Sequence, residues 1–503
     1  MNKTRITAGI LAVLMLLSAL TACGTTTEEP AVTGGITAGD EVTEEVTELT
    51  DSLPDDLNYG EDEIVIYSRY REGWTSGEIA VEELINEPVN DAVYERNKAV
   101  EERLNVRINS IEENNHDGDV LMNKVITAVK SGLDEYDIVA APCYIAIDQS
   151  LSGTFADLRS TDYLDFDKPW WTQGFNEVAE YRGSQYVITG AMLLSIYRFA
   201  FVTVFNQRLF TDANQPFLYQ HVEDGSWTLD KQYSLVPIFH KDNGNGKKDE
   251  EGDIYGLISN DLISVDPYWS SCEVDILKKN ADGEFEFVFR SDKLHSVAEK
   301  TIRLYYESGN AMYNIKQKSY DAEQDDIRQM FADGLGAMAT LRILELENGA
   351  IRGMEDKFGV VPMPKFDDNQ KEYHTLLHDQ FTVVSIPTTV KGDKLNELSA
   401  VLEAMCSFSY KSLRPAYYET TLRTKIAQDP QSAAMMDTII DNIYIDAGIV
   451  YTRAISSFHD SFRKVMQSGK NTVTSTYQKT LKSATRNLGR MLEKLDKLID
   501  NAS

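Results

Sequence analysis

Apolar residues set the first elements of the chain. The run "EIVIYS" (63–68) is short and β-branched, which predicts a buried strand. In the following "EPVNDAVYERNKAVEERLNV", Val93, Val100 and Leu104 fall on one helical face, with Asn90 as the expected N-cap. "NVRINSI" then alternates Val106, Ile108 and Ile111 as a strand would. Leu121, Val125 and Val129 line a second helix that Gly132 can end. "YDIVAAP" (136–142) predicts a third buried strand. Strand, helix, strand, helix, strand in this order implies parallel pairing in an open α/β sheet. Ligands bind beyond the carboxyl ends of such strands, which marks Tyr67 to Trp74 and Pro142 to Tyr144 as cleft neighbourhoods. A second α/β set follows in "VTVFNQRLF", "YGLI", "GAMATL" and "FGVVPMPKF". "FTVVSIPTTV" (381–390) is one further strand, and the chain then turns helical to its end.

The first residues carry a different pattern. Lys3 and Arg5 precede a nearly unbroken apolar run over 6–20, too short to cross a bilayer and shaped like a secretory leader. It ends in Leu20-Thr21-Ala22-Cys23, which resembles the lipobox of bacterial lipoproteins and implies cleavage before Cys23 and acylation of its thiol. Each buried methylene of an acyl chain contributes about 0.8 kcal/mol, so several chains hold durably. From Cys23 to Arg69 there is no Lys or Arg, and the Thr-, Gly- and acid-rich sequence to about residue 60 is expected to be a disordered tether. Cys143, Cys272 and Cys406 remain, an odd number without paired spacing, which argues against a disulfide framework.

Beyond the tether, the chain is long enough for two or three cores, and 42% hydrophobic residues can fill them. A net charge of −31 excludes a nucleic-acid role of the usual kind, which depends on basic patches.

The order of "INEPVNDAVYERNKAVEERLNV", "EYDIVAAP", "KPWWTQGF", "FNQRLF", "DGSWTLDK", "IYGL", "FGVVPMPKFDDNQKEY" and "LEAMCSFSYKSLRPAYYETTLRTK" resembles the extracellular solute-binding lipoproteins of ABC importers, in the sugar-binding branch akin to maltodextrin-binding protein. The resemblance implies an α/β, two-lobed periplasmic-binding-protein-like fold of type II, its ligand cleft between lobes joined by crossover strands, with a helical C-terminal region. It implies a signal peptide over 1–22 and a lipidated tether over 23–60. The first lobe would take 61–195 plus 382–445, and the second 196–381 plus 446–503. The expected partners are a small solute, a sugar first of all, the transmembrane subunits of an ABC permease, and the membrane through the lipid anchor. The protein would be a monomer on the outer face of the cell membrane, with no catalysis and no required cofactor. The alternatives are a peptide or other non-sugar solute on the same fold, or a surface polysaccharide hydrolase.

Candidate ligand contacts are Arg69 and Trp74 after the first strand, Tyr144 after "AAPC", Tyr197 in the crossover, Trp269 in "SVDPYWSSCE", and Arg342 after "GAMAT". Rings suit the C–H faces of sugars, and guanidinium groups suit hydroxyls or carboxylates. Trp170 and Trp171 in "DKPWW" are read as packing. "HKDNGNGKKDEEGDIYG" (240–256) resembles a calcium loop, in which Asn243, Asn245, the Lys247 carbonyl, Asp249 and Asp253 would supply oxygens to a structural Ca2+ over 241–253. Lys241 stands where Asp is wanted, so a plain polar turn is the other reading. His374 and His378 have the spacing of zinc ligands but lack the accompanying Glu.

Overall fold

In the computed structural model, residues 50–502 are described, apart from 116, 248–251, 261, 290–291 and 313–326. The leader, Cys23, the segment to residue 49 and Asp249 lie outside the described residues.

Strand β1 (Asp62–Arg69) runs parallel to both β2 (Val106–Glu113) and β3 (Ile138–Pro142), in register Ile64 with Ile108 and Ile66 with Ile138. Ile64, Ile66, Ile138 and Val139 are fully buried. At the sheet's edge, β2 alternates only weakly, and Ile111 is 41% exposed rather than packed inward. Helix α1 (Pro88–Leu104) joins β1 to β2. Its N-cap is Glu87, whose carboxylate accepts from Val89 N (3.0 Å) and Asn90 N (2.8 Å). This replaces the expected cap at Asn90, because Pro88 already fits the first helical position and starts the helix three residues earlier. Helix α2 (Gly118–Ser131) ends on Gly132 in the left-handed conformation (φ 65°), as expected. Helix α3 (Cys143–Ser150) follows β3 directly.

The second sheet has the order β10-β4-β9-β5-β8, from β4 (Phe201–Asn206), β5 (Leu257–Ile258), β8 (Ala311–Met312), β9 (Met338–Arg342) and β10 (Phe358–Val361). Strand β4 is antiparallel to both neighbours, so its start at Phe201 lies beside the carboxyl end of β9 at Arg342. A hairpin of β6 (Leu277–Lys279) and β7 (Phe285–Phe287) stands apart.

Three chain crossings join the two sheets. Ile188 bridges to Val384 and Ala200 to Leu377 in antiparallel pairs. Strand β11 (Thr375–Leu376) pairs in parallel with β13 (Ile443–Tyr444). Strand β12 (Thr382–Ser385) then adds to the first sheet, antiparallel to β3. Because it runs backwards, its start lies on the same edge as the ends of β1 and β3.

Among the remaining helices, α4 (Asp292–Ile302) follows the hairpin in the chain, and α5 (Asp393–Lys411) packs on α1. Helix α6 (Pro430–Asp441) packs on β10. Helices α7 (Asp460–Ser468) and α8 (Val473–Ala502) pack on each other and on α4. Trp170 and Trp171 are buried, and their indole nitrogens donate to the two oxygens of Glu403 on α5, each at 3.1 Å. Three free cysteines, Cys143, Cys272 and Cys406, are all buried.

Candidate functional site

The carboxyl edges of the two sheets face a common junction. After β1 the chain turns through Gly73 (φ 69°) and Gly77 (φ 72°), where a side chain would be strained. Trp74 N and Thr75 N both donate to Arg71 O at 3.0 Å, and Thr75 Oγ1 donates to Arg69 O at 2.9 Å. This tight turn folds the Trp74 ring inward, leaving it 8% exposed. The Arg71 guanidinium lies 3.4 Å from the ring centre. Arg342 reaches it from the end of β9 in the other sheet at 4.7 Å, and Phe199 meets it edge-on at 5.3 Å. Arg342 is fully buried and paired with Glu345, one turn along the same chain segment.

Charged groups converge beside this contact. Arg69 Nη1 donates to Gln380 Oε1 at 3.0 Å and Nη2 to Gln380 O at 3.2 Å, while its buried Nε has no partner. Burial lowers the Arg69 guanidinium to about 10. Burial raises Asp379 to about 6, against the pull of Arg463. Asp266 is likewise raised to about 6 by burial, although Arg463 grips both of its oxygens. His378 Nδ1 lies 3.3 Å from Asp379 Oδ1 without hydrogen-bond geometry, and burial keeps the imidazole neutral. Tyr144 N donates to Asp379 O, and the Arg453 guanidinium covers the Tyr144 ring at 4.6 Å while pairing with Asp119 at 2.7 Å. Charges in such a dry setting act over a low dielectric and bind polar groups strongly.

A cavity of about 450 Å³ opens next to Trp74, walled by Glu72, Ser76 and Val81 from the first lobe and by Arg198, Glu347 and Arg352 across from them. Arg198 Nε meets Glu347 Oε1 at 3.3 Å, and Lys425 spans to Glu87 at 2.8 Å. Behind it, fully buried Glu78 binds both crossing segments. Its carboxylate accepts from Ser195 N at 3.0 Å and from Thr382 Oγ1, while Ser195 Oγ accepts from Thr382 N at 2.8 Å. Buried Arg96 on α1 holds the next turn through the Glu78 and Ile79 carbonyls.

The structure thus brings Arg69, Trp74, Tyr144 and Arg342 together. Trp269 is buried, edge-on to Phe462 at 5.4 Å, and its indole N–H has no partner among the described residues. Tyr197 stacks on Tyr417 at 5.9 Å and lines a separate cavity of about 200 Å³ with Trp170, Trp171 and Arg414. Sequence reasoning missed Glu78, Asp379 and Arg463, and marked His378 only for its zinc-like spacing to His374. Asp379 was within reach of the carboxyl-edge rule, had the antiparallel sense of β12 been known. In the 241–253 loop, Asn243 Oδ1 accepts from Asn245 N, Asn245 Oδ1 from Lys247 N, and buried Asp253 Oδ1 from Asn243 N. The first two are successive Asx turns, and the third ties the two ends of the loop together. Among the described residues, no group of three or more His, Cys, Asp or Glu is disposed to hold a metal. His374 and His378 flank the extended β11 rather than sharing a helix face.

No family model matches the chain, and a search of curated proteins gives no match. Solved structures do match. The cyclic alpha-maltosyl-1,6-maltose binding protein of Arthrobacter globiformis superposes with a TM-score of 0.58 at 14% identity, over 85% of this chain and 99% of that one. This chain has the type II periplasmic-binding-protein fold. An ABC substrate-binding protein of Listeria monocytogenes in complex with cycloalternan gives 0.51 at 14%, over 87% and 99%. UgpB of Mycobacterium tuberculosis, in complex with glycerophosphocholine, gives 0.51 at 15%, over 88% and 100%. At such identities the periplasmic-binding-protein fold is what is shared. Within that fold, the junction just described lies between the carboxyl edges of the two sheets.

Proposed function

We propose that the chain is a lipid-anchored extracellular substrate-binding protein that closes over a carbohydrate and delivers it to an ABC permease. One observation carries this reading: the turn that brings Trp74 onto Arg342 of the other sheet also borders a 450 Å³ cavity, lined by Glu72 and Ser76 on one side and by Arg198 and Glu347 on the other. That volume falls in the range of small-molecule sites. The guanidinium and carboxylate groups lining that cavity, from Arg198, Arg352, Glu72 and Glu347, suit the hydroxyls of a polyhydroxylated solute. Contacts made only when the lobes meet shift the population toward the closed form. Cyclic glucans bound by two of the structural neighbours support a sugar, and glycerophosphocholine in the third keeps a non-sugar solute as the competing ligand class. The anchor rests on Cys23 and its lipobox.

Ligand binding raises apparent stability by mass action. Thermal shift against linear and cyclic glucans, peptides and glycerophosphodiesters is expected to raise the melting temperature only with a saccharide. A rise with peptides or phosphodiesters alone would replace the sugar by that class. Cys23→Ser is expected to move the protein from the membrane fraction into the medium.

A hydrolase is the second reading, favoured by Asp266 and Asp379, two buried carboxyls that repel each other across the junction. The grip of Arg463 on both Asp266 oxygens leaves that carboxylate poorly placed as an acid or nucleophile. Incubation with glucans is expected to release no reducing ends.

A further inference from the structure

Helix α8 carries an acid-free stretch of basic surface in a chain with 80 acidic residues. Between Asp460 and Glu493 the sequence has no Asp or Glu. Lys479, Lys482, Arg486 and Arg490 are all exposed, and their spacing of three and four residues places them on one helical face. Lys494 and Lys497 extend the row to about 27 Å at 1.5 Å per residue. The opposite face is fixed, since Tyr477, Ala484, Leu488, Met491 and Leu495 are buried. The outward orientation of the cations is therefore set by packing.

These cations differ from several exposed ones on other helices in lying together without acidic partners. On other helical segments Lys98 pairs with Glu101, Arg208 with Asp212, Arg303 with Glu307 and Arg423 with Glu419, each three or four residues along. None of the six on α8 forms an ion pair with a described residue. Asp496, the nearest acid turned toward the body, is taken by Arg182 at 2.7 Å. Glu493 and Asp500 offset only the far end, so the uncompensated charge is concentrated over 479–490.

We propose that this face of α8 docks on anionic phospholipid headgroups. A row of point cations without an aromatic ring among them suits phosphate rather than bases or an apolar protein groove. Charge elsewhere on the body is screened beyond about 8 Å at physiological salt, so the net −31 does not cancel the contact. The inference draws on the anchoring half of the reading above, because a lipidated chain is held beside a bilayer. Each basic side chain near such a surface strengthens attachment by a factor of about five. Docking would fix which side of the body faces the membrane.

The test uses the mature chain from residue 24 onward, so that neither an acyl chain nor the apolar leader contributes, sedimented with vesicles of phosphatidylglycerol and phosphatidylcholine or of phosphatidylcholine alone. Binding is expected only to the anionic vesicles, and high salt is expected to abolish it. Lys482→Glu, Arg486→Glu and Arg490→Glu together should weaken it at least about a hundredfold. Lys130→Glu, an exposed reversal on α2, should leave it unchanged. Thermal unfolding separates a docking defect from misfolding, and Lys482→Gln, Arg486→Gln and Arg490→Gln provide a milder set if the reversal unfolds the chain. No sedimentation with anionic vesicles at physiological salt would overturn the proposal. So would undiminished binding by the folded triple variants, or preference for a soluble polyphosphate over the vesicles. Saccharide thermal shift on the same proteins reports the ligand site separately, so either reading can fail alone.

Discussion

Trp74→Ala removes the ring through which the two lobes touch. The Trp74 ring lies 4.7 Å from the Arg342 guanidinium and 5.3 Å from Phe199, with little water present. A desolvated cation–π contact is worth about 1–2 kcal/mol, and an edge-on aromatic pair about 0.5–1.5 kcal/mol. Together they make roughly 1.5–3.5 kcal/mol of cross-junction contact, the share lost by the closed form and not by the open one. At 1.4 kcal/mol per factor of ten, the closed-to-open ratio should fall by about 10- to 300-fold. Arg71, at 3.4 Å, belongs to the same turn and does not enter this difference. Small-angle scattering should show a larger radius of gyration for the variant without ligand. Isothermal titration with a saccharide identified by thermal shift should show weaker binding, up to the same factor. Trp74→Phe, which keeps a ring, should lie between the two. A Trp74→Ala protein that scatters and binds as the parent does would refute the reasoning, because no cross-junction energy would then reside in this contact.

Glu78→Ala should lower the denaturation midpoint clearly, because Ser195 N and Thr382 Oγ1 lose a buried acceptor at about 1–3 kcal/mol each, while Glu78→Gln should cost less by keeping one amide oxygen. Glu403 tests the pH dependence of stability. Burial raises its carboxyl from 4.5 to about 7, so its favourable contribution is complete below about 4.5 and is lost as pH rises through 7, on the order of 3 kcal/mol. The melting temperature of Glu403→Gln relative to the parent should therefore climb between pH 4.5 and 7 and level off above; a difference that stays flat would contradict the raised carboxyl.

Local pattern was enough to determine the elements. The β-branched "EIVIYS" and "YDIVAAP", separated by two amphipathic helices, make a parallel strand trio whatever lies beyond, since a period of two or of 3.6 fixes which side chains can be buried. Gly132 at its helix end and Trp74 at a strand's carboxyl end were legible for the same reason. Position along the chain was also enough to single out Arg69, Tyr144 and Arg342 as candidates. Partnership across the sheets was not legible. The start of β12 joins the carboxyl ends of β1 and β3 only because it pairs antiparallel, a choice made by contacts some 240 residues apart. That register brings Asp379 and His378 to the junction, clamps Glu78 between two crossings, and turns Tyr197 toward a different cavity from Trp74. Periodicity reports the face a residue takes on its own element, whereas burial of charge and the meeting of lobes depend on which elements become neighbours.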